Sequence, residues 1–307
     1  AQVASLETGE VDAVDLTATD LPRFENDDNF EIFTARNARL GYLGLTRTRP
    51  MMEDPRVRKA IAHATNRDEI VNTIFEGGLA EAVSTPLPPS VPGYNEELEA
   101  LSPEFDLDAA RALLDEAGWS VGSDGIRRDG AGTPLRLEIV DDSRAFERII
   151  TPYVENLRAL GIDARFTLID DAQMAERRAR HDYDMIVGTV MTDLMPSSDL
   201  AQVFRSDGAG DVFNPMGLAN PAIDALVDQV IAAQTRDEME LRTRALDRAL
   251  RSLQIWVPQY YSADWNVAWW DQYAHPDPMP PYALGELDFW WFDADKAARL
   301  KEAGALR

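Results

Sequence analysis

The sequence contains no cysteine, which excludes disulfides, thiolate metal centres and cysteine nucleophiles. Histidine is scarce. His63, His181 and His275 stand far apart, with no HExxH run and no i, i+4 pair, so neither zinc nor any other metal is expected. No apolar stretch approaches the run of about 18 residues that marks a membrane span; Met185 to Met191 is among the longest. The patterns GxSxG, GxGxxG after a strand and GxxxxGK[ST] are missing, which argues against hydrolase, dinucleotide and nucleoside triphosphate chemistry, and no cofactor is expected. Basic residues are outnumbered, 30 against 54 acidic ones, for a formal net charge of −24. That charge repels phosphate backbones and anionic lipid heads, so nucleic acid and membrane surfaces are poor partners. No basic-then-apolar leader precedes Ala1, as expected of a cytoplasmic protein, a mature chain or a truncated one.

What is present is a globular composition. The 307 residues, 45% of them apolar, suffice for two domains or for one domain and part of another. Asp54-Pro55 reads as an N-cap followed by proline at the first helical position, leading into Val57, Ala60, Ile61 and Ala64 at helical spacing. Asn66 and Glu69 have capping-box spacing ahead of Ile70, Val71, Ile74 and Phe75, with Gly77-Gly78 as the stop. The proline-rich stretch Ser84 to Pro92 predicts an extended loop. Asp108 to Ala117 predicts a helix ended by Gly118, and Asp124-Gly125 and Asp129-Gly130 mark a hairpin region.

Alternation follows. Strands at 135–140, 162–169 and 183–190, separated by helices at 144–160 and 172–180, predict successive α/β units. A loop over 192–220 precedes helices at 221–233 and 236–253, the first opened by Asn220-Pro221. Two short strands, 255–261 and 265–270, are rich in aromatic and β-branched residues. Prolines 276, 278, 280 and 281 then predict an irregular tail. Carboxylates are abundant enough that an acid/base pair at glycosidase separation stays open as a competing reading, since two Asp or Glu suffice for that chemistry.

Leu6-Glu7-Thr8-Gly9-Glu10-Val11-Asp12, Tyr42-Leu43-Gly44-Leu45 and Asp54-Pro55-Arg56-Val57-Arg58-Lys59-Ala60-Ile61-Ala62-His63-Ala64 occur in that order. They are followed by Thr85-Pro86-Leu87-Pro88-Pro89, Tyr94-Asn95, the helix from Asp108 to Gly118, and Asn220-Pro221-Ala222-Ile223-Asp224. The succession resembles the dipeptide- and oligopeptide-binding proteins of ABC importers, solute-binding protein family 5, over most of the chain. Val257-Pro258-Gln259-Tyr260-Tyr261, Trp269-Trp270-Asp271 and Trp290-Trp291 resemble the branch that takes up oligopeptides and microcin C.

The resemblance implies an α/β, two-lobed fold like that of the class II periplasmic binding proteins, present here as one complete α/β lobe plus an incomplete first lobe. Residues 1–41 and 266–307 would belong to the first lobe and 42–265 to the second, with crossing strands near Tyr42-Leu45 and Val257-Tyr261. It implies a periplasmic, non-enzymatic component that binds a short peptide or peptide-like solute in a cleft between lobes and delivers it to an ABC permease. Closure over the ligand would convert differential affinity into a signal. A monomer is expected, with partial disorder or dimer contacts covering apolar surface that the missing part of the first lobe leaves exposed. A family member retuned for nickel, haem or a sugar is a further alternative, because fold does not fix ligand.

Site residues follow from the same resemblance. Asp193, after the segment Tyr183-Asp184-Met185, takes the place of the family's aspartate for a peptide ammonium, although the usual run that follows is altered to Leu194-Met195-Pro196-Ser197. A carboxylate suits that role because a desolvated ammonium needs a paired charge. Asn214 resembles an asparagine that borders the cleft or makes a plain turn. Six of the seven tryptophans fall between Trp256 and Trp291; Trp265 and Trp269 are the candidates for a ligand pocket, against a packing role for the rest. Arg36, Arg47 and Arg49 flank the first crossing, where a guanidinium could meet a carboxylate or phosphate by forked hydrogen bonds, or simply lie at the surface.

Overall fold

The computed structural model describes residues 2–16, 20–45, 49–74, 81–82, 91–94, 97, 103–191, 196, 198–278 and 289–305, without side chains at 35–43, 45, 73–74, 81–82, 189–191 and 262–265. The chain divides into two units, Ala1–Asn37 with Ser262–Arg307, and Ala38–Tyr261. Unit 1 opens with α1 (Gln2–Glu7), β1 (Ala13–Leu16) and the first part of β2 (Phe30–Leu45), which continues into unit 2. There follow α2 (Pro55–His63), α3 (Arg67–Glu69) running into a π-helical turn over Ile70–Ile74, β3 (Glu81–Ala82) and α4 (Leu107–Glu116). The β4 (Ser120–Val121) and β5 (Arg127–Arg128) hairpin leads to β6 (Arg136–Asp141), α5 (Glu147–Ala159), β7 (Asp163–Leu168), α6 (Asp171–Arg180) and β8 (Met185–Met191). After α7 (Asp199–Phe204), α8 (Pro221–Ile231) and α9 (Arg236–Leu253), β9 (Trp256–Trp270) carries the chain back into unit 1. There it forms β10 (Tyr273–Ala274), β11 (Trp291–Phe292) and α10 (Ala294–Glu302).

Helix starts in unit 2 are chemically explicit. The Asp54 carboxylate accepts the Arg56 N–H at 2.8 Å with Pro55 in the first turn, and Asn66 accepts the Glu69 N–H at 3.2 Å. Asn220 caps α8 through the Ala222 N–H at 2.9 Å, and Thr235 caps α9 through the Glu238 N–H at 3.2 Å. Each such cap contributes about 1 kcal/mol.

The sheet of unit 2 is ordered β2-β8-β6-β7. β2 is antiparallel to β8, from Arg39↔Met191 to Leu45↔Met185, and β6 is parallel to both β8 and β7. Leu137 and Ile139 of β6 enter the main core with α2 and α5, whereas Val140 enters a smaller core with Met174, Tyr183 and Ile186. The apolar residues of β6, Leu137, Ile139 and Val140, are thus the ones covered on its two faces, while Arg136 at its start is exposed. In unit 1, β1 pairs antiparallel with β9, and Val14, Leu16, Ala268 and Trp270 pack with Leu6, Phe24 and Leu300. The Trp270 indole N–H donates to the Leu6 carbonyl at 2.9 Å.

Four sequence expectations are corrected. The cap of α4 is Asp106, whose carboxylate accepts the N–H groups of Asp108 and Ala109, so the helix starts before Asp108. The segments 255–261 and 265–270 belong to one strand, β9, which pairs with β3 at Tyr260 and Tyr261 and with β1 from Asn266 to Trp269. The expected loop 192–220 contains α7, which buries Leu200 and Phe204. The expected irregular tail contains α10, capped by Asp293 and buried through Ala297 and Leu300. Most of the predicted loop 84–92 lies outside the described residues.

Candidate functional site

In open α/β sheets, ligands bind outside the carboxyl ends of the strands. At that edge of unit 2 the sequence delivers Asp141 as the last residue of β6 with Asp142 after it, Asp170 after β7, and the chain leading to Asp193 after β8. Asp193 itself lies outside the described residues, two positions beyond the last residue of β8. The register Ile139↔Met185 and Val140↔Ile186 sets Asp141 level with Val187. β8 therefore runs on for four further residues, roughly 13 Å at strand rise.

Asp141 is the residue here that sequence reasoning missed. Its side chain is 3% exposed, and Oδ2 has no hydrogen-bond partner. Burial pushes its carboxyl up to about 6, against backbone N–H bonds from Asp142 and Ser143 and the charge of Arg178; the like charge of Asp142 adds to the rise. An aspartate directly after Ile139-Val140 and followed by a second aspartate was the available signal. Beyond it, an open recess of 630 Å³ is lined by Arg144, Glu147, Arg148 and Thr151 at the start of α5.

The opposite end of β8 is fixed by side chains. Asp184 accepts Arg49 Nε at 2.8 Å through Oδ1 and the Glu138 N–H at 2.8 Å through Oδ2. The Arg49 Nη2 donates to Asp182 at 2.8 Å, so this guanidinium is engaged within unit 2. The Tyr183 hydroxyl donates to the Pro215 carbonyl at 2.6 Å, and His181 Nε2 lies 2.9 Å from the Asn214 carbonyl oxygen. Asn214 is fully buried. Its Nδ2 donates to Leu218 O at 2.9 Å and its Oδ1 accepts the Leu218 N–H at 2.9 Å. Both ends of the amide close the turn, the plain-turn alternative for this residue.

Of the other candidates, Arg36 lies on β2 and Trp265 on β9, their side chains outside the description, and Arg47 lies outside the described residues. Trp269, in unit 1, is fully buried. Its ring centroid lies 3.9 Å from Trp290 and 6.1 Å from both Phe33 and His275. The indole N–H groups of Trp269 and Trp290 are buried without a partner inside this aromatic cluster. Glu31 borders it, 3.4 Å from His275 and 3.2 Å from Lys296, which also pairs with Asp271 at 2.7 Å. Among the described residues no three His, Asp or Glu side chains are grouped to hold a metal ion.

Residues 1–211 match the family model described as bacterial extracellular solute-binding proteins, family 5 middle. The chain is 30% identical over 279 residues to the probable peptide-binding protein YejA of Agrobacterium fabrum, covering 79% of this chain and 45% of the relative. Its fold is similar to that of the oligopeptide-binding protein AppA from Bacillus subtilis in complex with a nonapeptide, with a TM-score of 0.77 at 21% identity, over 94% of this chain and 57% of that one. NikZ from Campylobacter jejuni in complex with Ni(L-His) is similar at a TM-score of 0.73 and 18% identity, over 89% and 55% of the two chains. The chain thus spans roughly half the length of these relatives.

Proposed function

The chain belongs to the bacterial extracellular solute-binding proteins of family 5, and from that premise we propose that it captures short peptides or peptide-like solutes for delivery to an ABC permease. It acts outside the cytoplasm and as a binding protein, without turnover. The observation that carries this reading is the 30% identity, across 79% of the chain, to a relative described as a probable peptide-binding protein. The two units are read as lobes, the smaller belonging to the first and the larger to the second. No described helix is long and apolar enough to cross a membrane.

Peptides have in common a backbone, an ammonium and a carboxylate, so a binder of many sequences grips those groups and leaves side chains in roomy, wet pockets. We assign the ammonium to Asp193, because a carboxylate just past β8 offsets the desolvation of a cation. Arg36 and Arg47 are the guanidinium groups assigned to the peptide carboxylate, and Trp265 supplies aromatic surface, whereas the buried Trp269 packs within unit 1.

A non-peptide solute is the second reading, favoured by the fold shared with the nickel–histidine complex of NikZ. Mass spectrometry of small molecules released by denaturing the purified protein separates the two. Co-released short peptides with free amino termini support the first; a metal chelate or sugar with no peptide overturns it.

A further inference from the structure

We propose that unit 2 carries a second ligand site, a cavity of 540 Å³ at the amino ends of β6 and β8, and that it takes a small organic cation with an apolar body. The cavity is framed by Leu135 and Arg136 at the start of β6 and by Asp184 just before β8. The cavity lies before β8 and Asp193 follows β8 in sequence; the seven residues of that strand span roughly 20 Å, and the proposal does not rest on the site assigned to peptides. Its volume is that of a small-molecule site.

The lining is apolar on one side and charged on the other. Pro50, Met51, Trp119, Pro134 and Leu135 supply hydrocarbon and π surface. Most charges at the rim are already matched. Asp184 holds Arg49, Asp54 pairs with Arg56 at 2.6 Å, and Arg136 pairs with Asp163 at 3.0 Å. Asp129 differs. Its Oδ1 accepts the N–H groups of Ala131 at 3.0 Å and Thr133 at 2.8 Å, which fixes the carboxylate in place. Among the described residues it meets no basic side chain, so it is the lining's uncompensated charge.

A preoriented carboxylate in a cavity that also holds an indole is the chemistry that recognises an ammonium or guanidinium on a short hydrocarbon chain. The carboxylate pairs with the charge, and the ring face attracts a cation laid over it. The net charge of −24 enriches cations around the whole chain.

The test uses agmatine as the cation and pentan-1-ol as a neutral probe of similar length, with fluorine NMR of the 5-fluorotryptophan-labelled protein. Trp119→Phe identifies the resonance to follow. We expect a saturable shift of the Trp119 signal with agmatine alone, weakened about tenfold or more by Asp129→Asn. Thr133→Arg, which places a guanidinium beside Asp129 while keeping the Thr133 backbone N–H, should abolish the shift in a protein whose unfolding midpoint is unchanged. No Trp119 shift at about 10 mM agmatine, an equal response to pentan-1-ol, or undiminished binding in folded Thr133→Arg overturns the proposal. Peptide binding is unaffected by either outcome.

Discussion

Arg67 Nε donates to the carbonyl oxygen of Pro258 at 2.8 Å, tying α3 to β9 across 191 residues of sequence. Nη1 donates to Pro103 O at 2.9 Å, and Nη2 is buried without a partner. Burial lowers this guanidinium to about 10, so it still carries its proton at neutral pH. Arg67→Lys keeps a charge but loses the planar fork that reaches both carbonyls. Chemical denaturation should find the variant less stable by at least about 2 kcal/mol, since hydrogen bonds from a charged donor are lost and two buried acceptors remain.

Asp141 links stability to pH. Its native carboxyl stands at about 6, against about 3.9 in an unfolded chain. The native state holds the proton more tightly, so this contribution to stability is fully present below about pH 4 and is lost as pH rises through about 6. Asp141→Asn removes it. The unfolding free energy of the wild type minus that of the variant should fall by on the order of 1–3 kcal/mol between about pH 4 and about pH 8. A difference that stays flat with pH would mean that Asp141 is ionised throughout.

Arg251 and Asp247 form an ion pair one turn apart on α9, both side chains fully buried, with Nε 3.0 Å from Oδ2. The Arg251 guanidinium also sits 5.8 Å from the Tyr94 ring centroid. Removing the carboxylate alone, as in Asp247→Ala, strands a buried cation and should cost about 3–5 kcal/mol. Replacing both with apolar residues, Asp247→Leu with Arg251→Met, should recover most of that loss in urea titrations.

Much of the fold was legible because its signals are local. Asp54-Pro55, Asn66 with Glu69, and Asn220-Pro221 announce helices within four residues of the chain, and Gly118 and Gly161 end α4 and α5 at φ of 86° and 83°. The alternation of strand and helix from 135 to 191 followed from hydrophobic periodicity. The continuity of β9 was not legible, because it depends on pairing with β1 and β3 from distant parts of the sequence. Nor was α7, six residues long, whose Leu200 and Phe204 are apolar positions that matter only once something covers them.

The site was less legible than the fold. Asn214 has the look of a polar loop residue, and only the closing of its turn on Leu218 reveals that its amide is used internally. Asp141 is one acidic residue among 54; burial and an unpartnered oxygen set it apart, and both are tertiary properties. Asp193 was reached through resemblance alone, since nothing in its local spacing separates it from a capping aspartate.

Peptide capture through an anionic ammonium anchor is read most directly by tryptophan fluorescence of the protein. Pools of free-amine and N-acetylated peptides are titrated into the wild type and into Asp193→Asn. A saturable change with free-amine peptides only is expected, and its loss in Asp193→Asn. No response to any pool, or an equal response to acetylated peptides, would contradict it.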